Sequence, residues 1–228
     1  YANSNAYAHD IIGTGVVPVW KDTAGPCVTC HMNNSESHKW EVVEKDDAGV
    51  ITEIKSFDNV CSKCHSSSFM TPATLETLKD GLANALDVLN LKLQAKGIFW
   101  GSSYPYFFSV PAGSTPQDQS SSCNSYGLKS DTKKYPTTGC SSTCAECKFT
   151  TWTDKLLLGA VFNLNMLLHE PGAYAHNSQY TRRLVFDSID YAMDSDLDGY
   201  LDLSAYPIAA EWLQGDGVTT TDVWVDRP

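Results

Sequence analysis

The leucine spacing predicts a long amphipathic helix in the first half of the chain. After Thr71-Pro72, leucines recur every three or four residues, at positions 75, 78, 82, 86, 89 and 93. These intervals place the leucines on one face of an α-helix, and proline is favoured at the first helical position. The pattern therefore predicts a helix over 71–97 that ends near Gly97.

Two more helices are predicted in the last third of the chain. The first begins near Thr153-Asp154 and ends at the sequence Glu170-Pro171-Gly172, because proline cannot continue a helix. The second runs from about Ser178 to Met193 with a periodic apolar face. After Gly199 the hydrophobic pattern has only a short period, and the chain ends in a Thr-rich segment. No further helix is predicted there.

The other segments lack a sustained period. Glycine, proline and serine interrupt them, and these residues favour loops. We therefore expect a mainly α fold with extensive irregular loops, as a single domain over 1–228. Its parts are a segment with two Cys-x-x-Cys-His pentads (1–70), a helix (71–97), a loop insertion (98–150) and a helical C-terminal part with an acidic loop (151–228).

Length and charge exclude several classes of partner. The chain has 228 residues, 42% of them hydrophobic, which is enough to form a core. The chain has 16 Lys and Arg residues and 27 Asp and Glu residues, which give a net charge of -11. The surface should therefore repel nucleic acid and anionic membranes. The sequence contains no apolar run of membrane-spanning length and starts without signal-peptide features. These observations predict a mature, soluble protein with no nucleic-acid partner and no membrane span.

The two pentads predict covalently bound haem. Each supplies two thiols for the two vinyl groups of a haem and an adjacent imidazole for its iron. The attachment residues are Cys27, Cys30, Cys61 and Cys64, and the proximal iron ligands are His31 and His65. The alternative is a structural zinc site built from the four cysteines, but zinc would not require a histidine after each pair. The sequence thus favours two haems of type c.

The ligand on the far side of each iron determines what that iron can do. A second histidine gives a closed electron carrier, a methionine raises the potential, and an open position permits chemistry on small molecules. The remaining histidines are His9, His38, His169 and His176, and the methionines are Met32, Met70, Met166 and Met193.

The histidines differ in their prospects as distal ligands. His38 lies between the pentads, and His176 lies between a helix break and a helix, so both are candidates. His169 is near the end of a predicted helix, where a cation is favoured by the helix dipole, so a structural role is the better interpretation. His9 is either an exposed residue or a ligand donated to a neighbouring subunit.

Four further cysteines are clustered in the predicted loop insertion. Cys123, Cys140, Cys144 and Cys147 form an even set in a polar segment, which predicts two disulfides with three alternative pairings. Disulfides and haem attachment both indicate an oxidising compartment, so we expect a secreted, extracellular protein, with the periplasm or cell surface as alternatives. The sequence Cys144-Ala-Glu-Cys147-Lys148 also resembles the lysine-ligated haem motif of cytochrome c nitrite reductases.

An acidic loop follows the last predicted helix. Asp194, Asp196, Asp198, Tyr200 and Asp202 occupy ligand positions of a calcium-binding loop, with Gly199 at the sixth position. The twelfth position, where such loops carry Glu, is Ala205. Bound Ca²⁺ and a solvated acidic turn are both compatible with this pattern.

Several motifs together resemble the multihaem c-type cytochromes of extracellular electron transfer, including those that polymerise into filaments, or nanowires. They are Cys27-Val-Thr-Cys-His-Met32 followed by His38, then Cys61-Ser-Lys-Cys-His65-Ser66, and Leu168-His-Glu-Pro-Gly-Ala-Tyr-Ala-His176-Asn-Ser-Gln-Tyr180 leading into Leu184-Val-Phe-Asp-Ser-Ile-Asp190. The likeness covers roughly 20–70 and 155–192.

The resemblance implies two bis-histidine haems, with His176 and His38 as distal ligands. It also implies electron transfer to redox partner proteins or extracellular acceptors, rather than catalysis. Relatives often carry more than two haems, whereas this chain has only two pentads. Because a pair of haems cannot span a protein of this size, long-range conduction would require self-association end to end into a filament. The alternative function is that of a haem enzyme, nitrite-reductase-like or peroxidase-like, with an open or Lys-ligated iron.

Overall fold

The computed structural model describes residues 26–32, 39–100, 106–109, 152–214 and 224–228. In this part of the chain, helices dominate and the strands are short. The helices are α1 (Pro26–His31), α2 (Pro72–Ala95), α3 (Lys155–Leu168), α4 (Ala173–His176), α5 (Ser178–Asp194) and α6 (Pro207–Gln214). The strands are β1 (Val43–Lys45), β2 (Ile51–Ile54), β3 (Ile98–Trp100), β4 (Phe107–Ser109), β5 (Tyr200–Asp202) and β6 (Trp224–Asp226).

The chain forms two compact units. The first comprises Tyr1–Leu82 together with Gly172–Thr181, and the second comprises Ala83–Pro171 together with Arg182–Pro228. Both Cys-x-x-Cys-His pentads therefore belong to the first unit, and so does His176, which is more than a hundred residues further along the chain. The expected single domain over 1–228 stays a prediction.

The first unit is built around the β1–β2 hairpin and the start of α2. The strands are antiparallel, and their register shifts between Glu44 and Lys45. The Ile51 N–H donates to Glu76 of α2 over 2.9 Å, and the Lys79 ammonium donates to the Gly49 carbonyl over 3.1 Å. These two bonds fasten the hairpin to the first turns of α2.

Helix α2 begins as its sequence predicts. The Thr74 N–H donates to the Thr71 hydroxyl over 3.0 Å, so Thr71 caps the helix and Pro72 occupies its first position. After Ala95 the chain turns at Gly97, whose φ of 77° is costly for a residue with a side chain. The leucine periodicity thus predicted both ends of this helix to within two residues.

The second unit contains most of the buried apolar side chains of the described residues. Side chains exposed by less than 2% include Val88, Leu89, Leu93, Val161, Leu164, Val185, Phe186, Ile189, Leu201, Leu203 and Leu213. They come from the second half of α2, from α3, α5 and α6, and from the β5 region. This unit therefore has a conventional helical core.

Short antiparallel pairs complete the second unit. Strand β3 pairs with β4, and β5 pairs with β6, with three residue pairs in each register.

The observed mixture of helices and irregular segments confirms the mainly α class with loops. Helix α6 was not predicted, because the apolar positions of this segment did not extend a helical period far enough to be recognised.

Candidate haem-attachment site

Helix α1 presents the first pentad on one side. Cys27, Cys30 and His31 are spaced by three and four residues, and side chains with this spacing share a helix face. Cys27 is exposed, Cys30 and His31 are half-buried, and Thr29 between them is buried. The turn is thus anchored through Thr29 and leaves its thiols and imidazole accessible to a cofactor.

The second pentad also forms a helical turn. Cys61–Lys63 is a 3-10 segment, and the Cys61 carbonyl accepts hydrogen bonds from the Cys64 and His65 N–H groups over 3.1 and 2.8 Å. This winding brings His65 back over Cys61. The His65 ring stacks on Phe69 with centroids 5.5 Å apart and planes 19° apart, which orients the imidazole.

A buried serine joins the two pentads. The Ser56 hydroxyl donates to the Cys30 carbonyl over 2.8 Å, and the Ser56 carbonyl accepts from the Val60 and Cys61 N–H groups over 2.9 and 3.3 Å. Ser56 has no exposed surface. One residue therefore bonds to both attachment segments and fixes their spacing, a role that the sequence did not indicate.

The attachment thiols of the two pentads interact electrostatically. Burial, followed by the charges of Cys61 and Cys27, raises the pKa of the Cys30 thiol to about 11. Since Ser56 bonds to both attachment segments, cofactors bound to the two pentads would also be close together.

The four cysteines do not assemble a zinc site. No group of three or more His, Cys, Asp or Glu side chains in the described part of the chain is arranged to hold a metal ion, and all four cysteines are free thiols. A tetrahedral zinc site would need such a group. Pairs of one exposed and one half-buried thiol, each followed by an imidazole, fit haem attachment instead.

Contacts with Trp40 orient the imidazole of His31. Its Nδ1 lies 2.7 Å from the Trp40 carbonyl oxygen, and the rings of His31 and Trp40 are 5.7 Å apart. A metal-binding histidine commonly donates one ring N–H to a backbone carbonyl, which leaves the other nitrogen for the metal. Trp40 has a φ of 58°, a strained value for a residue with a side chain.

His176 faces His31 within the first unit. The two ring centroids are 6.1 Å apart and the ring planes are inclined by 63°. His176 ends α4, whose Ala173 and Tyr174 are buried, and the Thr181 hydroxyl donates to the Ala173 carbonyl over 3.2 Å. The buried part of this short helix therefore holds an exposed imidazole opposite the first pentad.

The other candidate ligands do not form such a pair in the described residues. The Nδ1 atom of His169 lies 2.7 Å from the Asn165 carbonyl, and its ring contacts Trp100 and Tyr106 in the second unit. These contacts are compatible with the structural role predicted for His169. His9 and His38 lie outside the described residues, as do Cys123, Cys140, Cys144, Cys147 and Lys148.

The acidic loop does not contain a preassembled metal site. The Asp194 and Asp198 carboxylates accept hydrogen bonds from the Asp196 and Tyr200 N–H groups, and the described residues include no metal-binding cluster here. Calcium binding by Asp194, Asp196, Asp198, Tyr200 and Asp202 stays a prediction from the sequence.

Thiol pairs that lead directly into an iron-ligating imidazole are the attachment chemistry of c-type cytochromes. Two such turns share one unit with a further imidazole opposite the first, an arrangement that fits this class.

Relatives of known class agree with this assignment. Over 199 residues, or 87% of this chain, it is 33% identical to the C-type polyhaem cytochrome OmcB of Geobacter sulfurreducens and 34% identical to OmcC of the same species. The chain is thus homologous to polyhaem c-type cytochromes, and the resemblance noted in the sequence is confirmed. It spans 24% of the length of these relatives.

Other comparisons add no further relative, since no family model and no solved structure matches the chain. Among the helices that the structure describes, none combines the length and hydrophobicity needed to cross a bilayer.

Proposed function

We propose that this chain is a dihaem electron-transfer cytochrome in which each iron has two histidine ligands. A haem of type c supplies a one-electron iron couple, whose potential depends on the axial ligands and on burial. The observation that carries the proposal is the pair of Cys-x-x-Cys-His turns in one unit, with His176 opposite His31. The homology to polyhaem cytochromes supports it.

The spacing of the two pentads favours electron exchange between the cofactors. The Ser56 hydroxyl donates to the Cys30 carbonyl, and the Ser56 carbonyl accepts from the Cys61 N–H, so one residue links the two attachment segments. A fixed separation between two redox centres also limits structural rearrangement during transfer. The contribution of this chain to transfer is thus to hold two attachment points close together in a rigid arrangement.

A haem enzyme is the alternative function. It would need an iron with an open or displaceable axial position, as in a nitrite-reductase-like or peroxidase-like site with Lys148 as a ligand. The described part of the chain favours closure of the first site, because an imidazole already faces His31 at 6.1 Å. We therefore interpret the protein as an electron carrier and not an enzyme.

The first test is spectroscopic. We expect a pyridine haemochrome assay to give two haems of type c per chain, and low-spin spectra of the reduced protein that carbon monoxide does not change. A high-spin band, carbon monoxide binding to the parent protein or a third haem would favour the enzyme. Absence of covalent haem would refute the proposal.

We further propose that the protein acts outside the cytoplasm, in the extracellular space or, alternatively, in the periplasm or at the cell surface. Haem attachment to cysteine and the four remaining cysteines favour an oxidising compartment. A net charge of -11 favours redox partners with basic surfaces or mineral acceptors.

Self-association into a filament is the remaining part of the proposal. Helix α3 exposes three apolar side chains spaced by four residues: Leu158, Phe162 and Met166 are 40%, 63% and 38% exposed. Exposed apolar stripes are typical of protein interfaces. A second copy of the chain is the occupant we propose, because two haems alone cannot conduct beyond one molecule.

Filament formation can be tested by light scattering and electron microscopy over a range of protein concentrations. We expect assembly by the parent protein and its loss in Phe162→Glu, with unchanged haem spectra in both. A parent protein that is monomeric at every concentration would contradict self-association without affecting the assignment as a cytochrome.

A further inference from the structure

We propose that His31 and His176 are the two axial ligands of one iron, that of the haem attached through Cys27 and Cys30, and that Gly172 is the residue that positions His176. The inference rests on the proposed function, because it requires haem at the first pentad. It assigns His176 to one of the two haems, which the sequence alone left open, and it gives Gly172 a role.

The separation of the rings matches ligation of a shared iron. A metal–imidazole bond is about 2 Å long and the bonding nitrogen lies about 1 Å from its ring centroid, so two imidazoles on opposite sides of one iron have centroids about 6 Å apart. The centroids of His31 and His176 are 6.1 Å apart. His65 of the second pentad stacks on Phe69 instead.

The nitrogen that His31 offers to the iron follows from its hydrogen bond. With Nδ1 donating to the Trp40 carbonyl over 2.7 Å, Nε2 is the nitrogen left for the metal. The left-handed backbone of Trp40 directs this carbonyl, since its φ of 58° is a conformation that residues other than glycine seldom adopt. Local strain is therefore located at the orienting partner of a proposed iron ligand.

His176 lies directly against Gly172. A Cβ atom at Gly172 would lie 2.5 Å from Cε1, 2.9 Å from Nε2 and 3.0 Å from Nδ1 of the His176 ring. The backbone of Gly172, with φ of -100° and ψ of 0°, is accessible to other residues. A side chain at this position would overlap the imidazole, so Gly172→Ala must displace the ring.

Helix α3 offers a matched control. A Cβ atom at Gly159 would meet no atom within 4 Å. Gly159→Ala therefore adds the same methyl group without displacing a neighbour, and any general effect of replacing glycine by alanine is measured there.

The experiment uses chains that retain a single haem. Cys61→Ala/Cys64→Ala removes attachment at the second pentad, and Cys27→Ala/Cys30→Ala removes it at the first. In the chain with only the first haem, we expect His176→Ala to convert the low-spin spectrum completely to a high-spin one that binds carbon monoxide. In the chain with only the second haem, the same substitution should leave the spectrum unchanged.

Two further variants address folding and positioning. His176→Met restores a sixth ligand, so the first haem should return to low spin with a raised midpoint potential, which a folding defect would not produce. Gly172→Ala should give a mixture of low-spin and high-spin first haem or a shifted potential, whereas Gly159→Ala should match the parent in both.

The results distinguish the ligation of one iron by His31 and His176 from the proposed function as a dihaem cytochrome. If the first haem stays low-spin in His176→Ala, or if the second haem is the one converted, the shared iron is refuted while the dihaem cytochrome stands. If Gly172→Ala has the spectrum and potential of Gly159→Ala, the positioning role is refuted. A parent protein without covalent haem would overturn the proposed function and the pairing together.

Discussion

Replacing Ser56 with alanine tests whether one residue holds the two pentads together. Its hydroxyl donates over 2.8 Å to the carbonyl of Cys30, near the end of α1. Carbonyls in the last turn of a helix have no partner within the helix, and Ser56 has no exposed surface, so water cannot easily replace the lost bond.

The size of the effect follows from this burial. Leaving a buried acceptor without its partner costs about 1–3 kcal/mol. We expect Ser56→Ala to lower the free energy of unfolding of the first unit by an amount in that range. Guanidinium titration followed at the haem Soret band measures it, since that band reports on the attachment segments.

Ser68→Ala is the control for this prediction. Ser68 is exposed and bonds only to the Ser66 hydroxyl among the described contacts, over 3.0 Å, and such surface substitutions change stability by less than about 0.5 kcal/mol. Equal unfolding free energies for Ser56→Ala and Ser68→Ala would refute the role of Ser56 as the link between the pentads.

Four further substitutions have expected outcomes that unfolding titrations can check. Burial raises the pKa of the Asp190 carboxyl, with Asp198, Asp194 and Asp187 adding to the increase. Because the folded pKa exceeds the unfolded one, the stability present below the unfolded pKa is lost as pH rises through the folded pKa, and Asp190→Asn should remove this pH-dependent loss. The Leu157 N–H, with Tyr191 and Leu156, lowers the pKa of the Asp154 carboxyl, so Asp154→Ala should destabilise α3 above the unfolded pKa and remove the loss of stability that the parent shows as pH falls. Gly97→Ala should destabilise the protein by about 1 kcal/mol because of its positive φ, whereas Gly159→Ala should stabilise α3 by about 0.5–1 kcal/mol. If the unfolding free energy of Asp190→Asn or of Asp154→Ala changes with pH in parallel with that of the parent, the assigned cause of that pKa shift is contradicted. Equal changes in stability for Gly97→Ala and Gly159→Ala would contradict the role of the positive φ at Gly97.

The long helices could be predicted because their signals are local. Leucine periodicity, Pro72 and Gly97 bounded α2, and Asp154 and Pro171 bounded α3. The N–H groups of Leu156 and Leu157 donate to the Asp154 carboxylate, both over 3.0 Å, so the sequence signal corresponds to a real cap. Helix α5, at Ser178–Asp194, likewise follows its apolar face.

The short elements could not be predicted in the same way. Each of the strands β3 to β6 has three residues, too few to display an alternating pattern. Helix α6 has eight residues, with Ala209, Ala210, Trp212 and Leu213 buried. Pro207 at its first position was the available signal.

The residues of the candidate site likewise include some that a local pattern predicts and some that it does not. The candidate attachment cysteines and candidate proximal histidines could be predicted from adjacency within each pentad, since one helical turn brings them to the same face. Ser56, Trp40 and Gly172 act through contacts that residue type alone does not indicate, and His176 reaches the first unit only because the chain returns there at Gly172–Thr181. Such long-range pairing is set by the packing of α4, which a local pattern does not encode.

The way these histidines are held bears on whether the first site carries electrons or reacts with substrates. An iron that must bind a substrate needs one axial position that is open or easily vacated. Here, by contrast, the Trp40 carbonyl fixes His31, and Gly172 leaves room for the ring of His176. If both imidazoles bind one iron, as we propose, neither axial position of that iron is left open to a substrate. Under this proposal the first site would carry electrons, and the enzyme alternative would depend on an iron bound at the second pentad, beside His65.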